Sequence, residues 1–360
     1  MAGKSLRDVF NPSNNSLNAV RLFLASTVIV SHSWAIGVFG LEPEAGATTA
    51  GVWAVLGFFG ISGFLITRSR LSGQTPFRYY RARFLRIFPG FVVCILMVAF
   101  VFAPLSLLFD RNGSWSVGDA IRYVISNSAL YPPHFSQDGV ARTLEHVAYP
   151  SVWNGSLWTL FWEAACYLAV GIGASVLSRR ALRPASLALF VVCAGLRLLH
   201  DADLVDLPAL PGRVLSLVIA FAAGATLFLY QDRIKVTAVT ITSALLVLVA
   251  SVPLGMVQSL GSLPFVFLVM VAGCTLPLTR IGSRYDISYG MYIYAWPVQQ
   301  FVLLILGDHA SLPAVIALSV MGTIPLALLS FVLIEKPAQR WGKRRAGKSA
   351  HPVSEPSVVH

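Results

Sequence analysis

The residue types best suited to chemistry in this chain lie where charge is least expected. Arg21 and His32 both fall inside the first apolar stretch, AVRLFLASTVIVSHSWAIGVFG. A separation of eleven residues, at 100° each, returns to within about 20° of the starting direction, so both side chains share one helix face about 16 Å apart along the axis. An ionisable side chain in a membrane helix costs from about 2.5 kcal/mol upward and usually faces a bundle interior or a wet cavity. The pair therefore marks a functional site, with Arg21 near one membrane surface and His32 beyond mid-depth. The structural alternative is a histidine bonded to helix backbone and an arginine snorkelling to the surface.

Two further constellations carry chemistry. Glu163, in SLWTLFWEAACYL, is a carboxylate well inside an apolar span and is expected near the depth of His32. A carboxylate there fixes the imidazole tautomer and stabilises its protonated form, which makes His32 a general base; the alternative is a glutamate that bonds two helices together. Arg78, Arg81, Arg83 and Arg86 close a loop running from Arg68 to Arg86, just before Pro89. Proline favours the first turn of a helix, and forked guanidiniums beside a helix N-terminus make a phosphate site. Positive-inside bias and contact with anionic headgroups account for such a cluster equally. Gly57, Gly60 and Gly63 recur every third residue and suit close helix approach.

The elements that must position these groups are membrane helices. The chain has 360 residues, 56% hydrophobic and 12% charged, with a mean hydropathy of +0.70, values of polytopic membrane proteins. Apolar runs predict an all-α membrane helix bundle of about ten transmembrane helices, near 18–39, 51–67, 87–109, 155–177, 185–200, 212–230, 236–254, 262–279, 287–307 and 312–334. With both termini cytoplasmic, the inward segments hold Lys4, Arg7, the Arg68–Arg86 cluster, Arg179, Arg180, Arg183, Arg233, Lys235, Arg280, Arg284 and the basic tail. The outward loops hold Arg111, Arg122 and Arg142 beside Glu42, Glu44, Asp201, Asp203 and Asp206. The net charge of +11 is then a topogenic signal, and nucleic-acid binding is an unnecessary reading.

Residues 1–17 read as a cytoplasmic segment, 18–340 as the transmembrane domain, and 341–360 as a basic cytoplasmic tail expected to be disordered, with no soluble catalytic domain. The first apolar stretch, interrupted by Arg21 and Ser31-His32-Ser33, reads as a membrane helix rather than a cleavable signal. Cys94, Cys166, Cys193 and Cys274 lie in apolar spans without a CxxC pair and read as small core residues. In the outward segment from about 110 to 154, Val117, Ile121, Val124 and Ile125 predict an amphipathic helix on the membrane surface or capping the bundle. The aromatics of YPPHF and AYPSVWNGSLW suit stacking on sugar rings or an interfacial belt.

Taken in order, Arg21-x10-His32, FFGISGFLI from Phe58 to Ile66, RARFLRIFP, LWTLFWE, ISYGMYIYAWP and Glu335-Lys336-Pro337 make a pattern that resembles the acyltransferase 3 family of integral membrane O-acyltransferases. The resemblance implies transfer of an acyl group, commonly acetyl, from cytoplasmic acyl-CoA to a hydroxyl of an extracytoplasmic or lipid-linked saccharide, without a metal. It implies His32 as the catalytic residue, Glu163 as a second essential polar group, Arg21 on the acyl-CoA side, and Arg81, Arg83 and Arg86 at the CoA phosphates, where charge alone adds Arg78. It further implies the inner (cytoplasmic) membrane as location and envelope polysaccharide assembly proteins as partners. Many relatives carry histidine where this chain has Ala295; either Tyr292 or Tyr294 replaces it here, or that residue only packs. Whether His32 takes a proton or carries the acyl group stays open. Two other classes remain: a glycan or lipid transporter with an intramembrane Arg/His/Glu path, and a non-catalytic scaffold of an envelope complex.

Overall fold

The structure is a computed structural model that describes residues 3–110, 112–130 and 139–348, without the side chains of 343–348. Arg111, the YPPHF stretch and the chain beyond 348 lie outside the described residues. Among the described residues the fold is all-α, with two isolated bridges, Ser5 with Lys235 and Glu44 with Thr49, in place of any strand.

A short helix α1 (Leu6–Val9) precedes α2 (Leu17–Gly37), α3 (Ala50–Leu71) and α4 (Pro76–Met97), which continues through a π-helical turn (Val98–Phe102) into α5 (Ala103–Ser106). After α6 (Val117–Asn127) come α7 (Trp158–Val176), α8 (Arg179–Asp201), α9 (Ala209–Leu229), α10 (Ala238–Ser251), α11 (Ser262–Thr275), α12 (Ser288–Leu306) and α13 (Leu312–Ser330). A second π-helical turn (Phe331–Glu335) leads into α14 (Lys336–Lys348). Among the described residues eight helices, α2, α3, α4 with α5, α7, α8, α9, α12, and α13 with its continuation, are long and apolar enough to cross a membrane; α10 and α11 are shorter apolar helices. The chain is a multi-pass membrane protein.

Helix starts follow local chemistry. The Thr49 hydroxyl accepts from Val52 N–H, Thr75 from Arg78 N–H ahead of Pro76, and Ser178 from Ala181 N–H. These caps correct the sequence reading of the arginine cluster. Only residues 72–75 separate α3 from α4, so Arg78, Arg81, Arg83 and Arg86 stand on a helix, and Pro89 lies within it. The basic stretch to Lys348, expected to be disordered, is likewise helical and packs on α4; the Arg81 guanidinium donates to Gly342 O at 2.5 Å.

The expected close approach of α3 is made with α9. A Cβ on Gly63 would lie 2.0 Å from Phe221 O, and one on Gly224 2.0 Å from Gly60 O, so the two backbones touch. At the other extreme, α8 has 6% of its apolar length buried inside the protein and is built to face lipid. On α6, Ala120, Tyr123 and Asn127 are buried while Val117, Ile121 and Ile125 are exposed, as in a helix bedded in the membrane surface.

One end of the bundle gathers the basic helix ends. Leu6 N–H donates to Ile234 O, Arg179 to Leu71 O, Arg183 to Asp232 at 3.0 Å, Ser16 to Leu276 O, and Asn18 to Gly282 O. The opposite end holds the 139–157 segment, over α12.

Candidate functional site

At the arginine end a cavity of about 120 Å³ opens between α2, α3, α4, α7 and α12, lined by Arg21, Arg83, Arg86, Glu163, Tyr167 and Tyr289, with Ser62, Thr159, Phe58 and Tyr292 further along. Its charge is organised by a residue that the sequence reading does not single out. Asp286, just before α12, receives Arg86 Nη2 at 3.1 Å and Arg21 Nη2 at 3.4 Å on one oxygen, and Ser288 Oγ at 2.7 Å on the other. Burial pushes the Asp286 carboxyl up, but Arg21 and Arg86 outweigh it and hold the group well below the usual carboxylate range. Arg21 also donates to Asn18 Oδ1. The Nε atoms of Arg21 and Arg83 are enclosed without a hydrogen-bond partner. Both arginines line the cavity and give it positive potential that suits an anionic ligand.

The structure separates the four arginines of the cluster. Arg83 and Arg86 line the cavity, whereas Arg78 and Arg81 join them only along a groove between α4 and α14, with Gln74 and Gln339. Arg83 also borders a polar vestibule of about 450 Å³, formed by Ser13, Asn15, Asn18, Arg68, Thr279 and Ser283. Arg83 thus stands where the cavity, the vestibule and the groove adjoin.

The expected pairing of Glu163 with His32 is not made. Glu163 Oε1 accepts from Ser62 Oγ at 2.9 Å and from Tyr167 OH at 2.5 Å. The reason is angular: α7 packs on α3 and α4, while α2 packs on α3, α11, α12 and α13. Equal depth in the membrane does not make two helices neighbours. His32 lies outward of the cavity, with its ring edge-on to Trp296, centroids 4.9 Å apart, and its Nδ1 is enclosed without a partner.

Tyr292 stands between the two regions. It is T-shaped against Phe58 at 6.0 Å, and its hydroxyl meets Thr159 Oγ1 at 2.6 Å and donates to Ser156 O at 3.0 Å. Ala295 packs with Ala25, Ile29, Met291 and Ala327. Trp296 donates to Val152 O at 3.1 Å and closes against Gly155, where a Cβ would lie 2.6 Å from its ring. Trp153 is fully buried and bonded to Thr143 Oγ1 at 2.8 Å, a structural role; Tyr149, near Trp296, is 38% exposed.

Glu335, part of a sequence motif but without a role assigned from sequence, is 1% exposed. Ser330 Oγ donates to its Oε1 at 3.1 Å, and Oε2 is unpartnered. An acid ending the apolar run LLSFVLIE is the signal available for it. For Asp286 the signal is fainter, a lone acid among basic residues. Among the described residues no group of three or more His, Cys, Asp or Glu side chains is placed to hold a metal ion.

No solved structure matches the chain. An O-acetyl transferase of Shigella phage Sf6 is 32% identical over 339 residues, covering 90% of this chain and 95% of the relative. Nodulation protein 10 of Rhizobium leguminosarum bv. viciae is 26% identical over 365 residues, covering 91% and 93%. An acyltransferase domain matches residues 14–333. With that match running from just before α2 to the second π-helical turn, the chain belongs to the acyltransferase 3 family and is an O-acyltransferase.

Proposed function

We propose that the chain moves an acetyl group from acyl-CoA, arriving from the cytoplasm, to a hydroxyl of an extracytoplasmic or lipid-linked saccharide, in the inner membrane of the cell. The observation that carries this reading is the cavity at the arginine end, lined by Arg21, Arg83 and Arg86. Its polarity fits the positive-inside rule, which puts the basic helix ends, and with them both termini, in the cytoplasm. At about 120 Å³ it is smaller than the roughly 300–1,000 Å³ of pockets that enclose drug-sized ligands. It therefore suits a linear arm, with the nucleotide and its phosphates held outside, on Arg83 and the surfaces of Arg68, Arg78 and Arg81.

In this reading the thioester advances past Tyr292 toward His32. His32 takes the proton of the acceptor hydroxyl as its oxygen attacks the thioester carbonyl; the C–S bond breaks, and the departing CoA thiolate recovers the proton from the imidazolium. Arg21 and Arg86, fixed by Asp286, supply positive potential at the donor end. Glu163 acts through Ser62 and Tyr167 on the cavity wall, not on His32.

The test uses membranes carrying the full chain, acetyl-CoA labelled in the acetyl group, and mass spectrometry of surface glycans from cells with and without the protein. His32→Ala is expected to lower transfer by about 10²–10⁴-fold, the usual worth of a positioned base, with the protein still in the membrane. Near-normal transfer by that variant removes His32 from the mechanism. Movement of an unmodified glycan would instead support the transporter reading.

A further inference from the structure

The mechanism leaves His32 without anything to orient it, and the helix facing it carries a candidate that charge-based reading passes over. Gln299 stands on α12, one turn beyond Trp296, the residue whose ring meets His32. It is fully buried. Its Nε2 donates to Ile29 O at 2.7 Å and to Ser33 Oγ at 2.8 Å, positions three residues before His32 and one after it on α2. The orientation of the amide is fixed by chemistry. A main-chain carbonyl only accepts, so the atom 2.7 Å from Ile29 O must be the NH₂ group. Ser33 confirms the sense, because its own hydroxyl hydrogen goes to Ile29 O at 2.8 Å, leaving its oxygen to accept.

Both amide hydrogens of Gln299 are thereby used, and its Oε1 remains a buried acceptor with no donor. On the same α2–α12 seam, His32 Nδ1 is a buried nitrogen with no partner. A buried polar atom left alone bears its full desolvation penalty, and two on one seam relieve each other by pairing. Glu163 is not free to serve the imidazole, being bonded to Ser62 and Tyr167, and Asp286 is held by Arg21 and Arg86 at the other end of α2.

We propose that Gln299 is the positioning residue of His32: neither atom is bonded in this structure, and rotation of the imidazole in the seam lets Oε1 accept its Nδ1 hydrogen, which holds Nε2 unprotonated as the atom that receives the acceptor's proton. The hydrogen bond made by one ring nitrogen decides the state of the other. A neutral acceptor selects the tautomer without making the imidazolium permanent, as a carboxylate in the same place would tend to do. This inference rests on His32 acting as proposed above, but its test does not require acyl transfer.

The experiment is nitrogen NMR on the full chain in detergent or nanodiscs, labelled with ¹⁵N-histidine, with the His32 signals identified by their loss in His32→Ala. The expected result is a neutral His32 carrying its hydrogen on Nδ1. Gln299→Met, similar in size but without the acceptor, is expected to move the hydrogen toward Nε2 and to lower kcat by about 10–100-fold, as loss of an orienting partner does, with the KM for acetyl-CoA unchanged. Ser33→Ala, which removes one anchor of the amide and leaves Oε1, is expected to shift the tautomer partly in the same direction. A wild-type His32 with its hydrogen on Nε2 overturns the proposal even if Gln299→Met fails to fold, and so does a tautomer indifferent to Gln299→Met. A chain that shows the Nδ1 tautomer but transfers no acyl group leaves this assignment standing and overturns the reaction.

Discussion

The two ends of α2 solve the problem of burying polar groups in opposite ways. Around Arg21 the solution is charge: Arg21 and Arg86 converge on Asp286, and Arg83 lies alongside them on the wall of a cavity. Around His32 it is neutral hydrogen bonding in a nearly closed seam, with Ser33, Gln299 and the edge-on ring of Trp296. A charged donor such as acyl-CoA must be attracted from water and later released, which suits solvated charge of opposite sign. A proton-transfer site at neutral pH is served by the reverse, since a fixed charge beside the imidazole would commit it to one protonation state.

The largest break in this contrast should come from Asp286. Asp286→Ala takes from the partly buried Arg21 and Arg86 the carboxylate they share, and breaking a buried pair costs at most about 3–5 kcal/mol. The expected outcome is a strong loss of folded protein in detergent, measured by thermal unfolding, with Asp286→Asn less damaging because its amide oxygen can still accept from Arg86 while its amide nitrogen donates to Ser288 Oγ. His32→Ala should do the opposite, sparing the melting temperature while lowering transfer by about 10²–10⁴-fold. Equal melting temperatures for Asp286→Ala and wild type would mean that the arginine end is solvated well enough to need no internal anion.

Arg83 sharpens the same comparison by function. It borders the cavity, the vestibule and the groove alike. Losing one charge-assisted phosphate contact costs about 1.5–3 kcal/mol. Arg83→Ala should therefore raise the KM for acetyl-CoA by about 10–100-fold while kcat changes little. Added salt should raise the wild-type KM through screening of exposed charge and leave kcat nearly constant. A fall in kcat with KM unchanged would move Arg83 from donor binding to the reaction itself.

The helices are legible in the sequence because apolar length is a direct consequence of the bilayer. The close approach of α3 is legible from Gly60 and Gly63, although not its partner α9. The start of α4 is harder to place, because Pro89 and Pro76 both compete for the first turn, and only Thr75-Pro76 supplies the cap together with the proline. Asp286 lies in a connection, where hydropathy is silent about contacts. Gln299 leaves no mark on the pattern, since a neutral amide does not interrupt an apolar run as a charge does. The expected pairing of Glu163 with His32 rests on depth alone, and depth leaves the rotation and neighbours of a helix undetermined.

Glu163 is therefore the residue where sequence and structure disagree most usefully, and its substitution should have the smallest effect. Both bonds it accepts fall on Oε1. A glutamine amide oxygen at this position can accept from Ser62 and Tyr167 in the same way, so Glu163→Gln keeps the wall of the cavity and removes only the charge. The cost in stability is expected to be about 1 kcal/mol, the difference between a charged and a neutral acceptor, with kcat reduced less than about threefold. Glu163→Ala should cost more, because two enclosed donors lose their acceptor. If Glu163→Gln instead fell to the level of His32→Ala without loss of folded protein, its negative charge would be acting on the imidazole through the intervening Tyr292 layer, and the separation of the molecule into a charged donor end and a neutral reaction end would not hold.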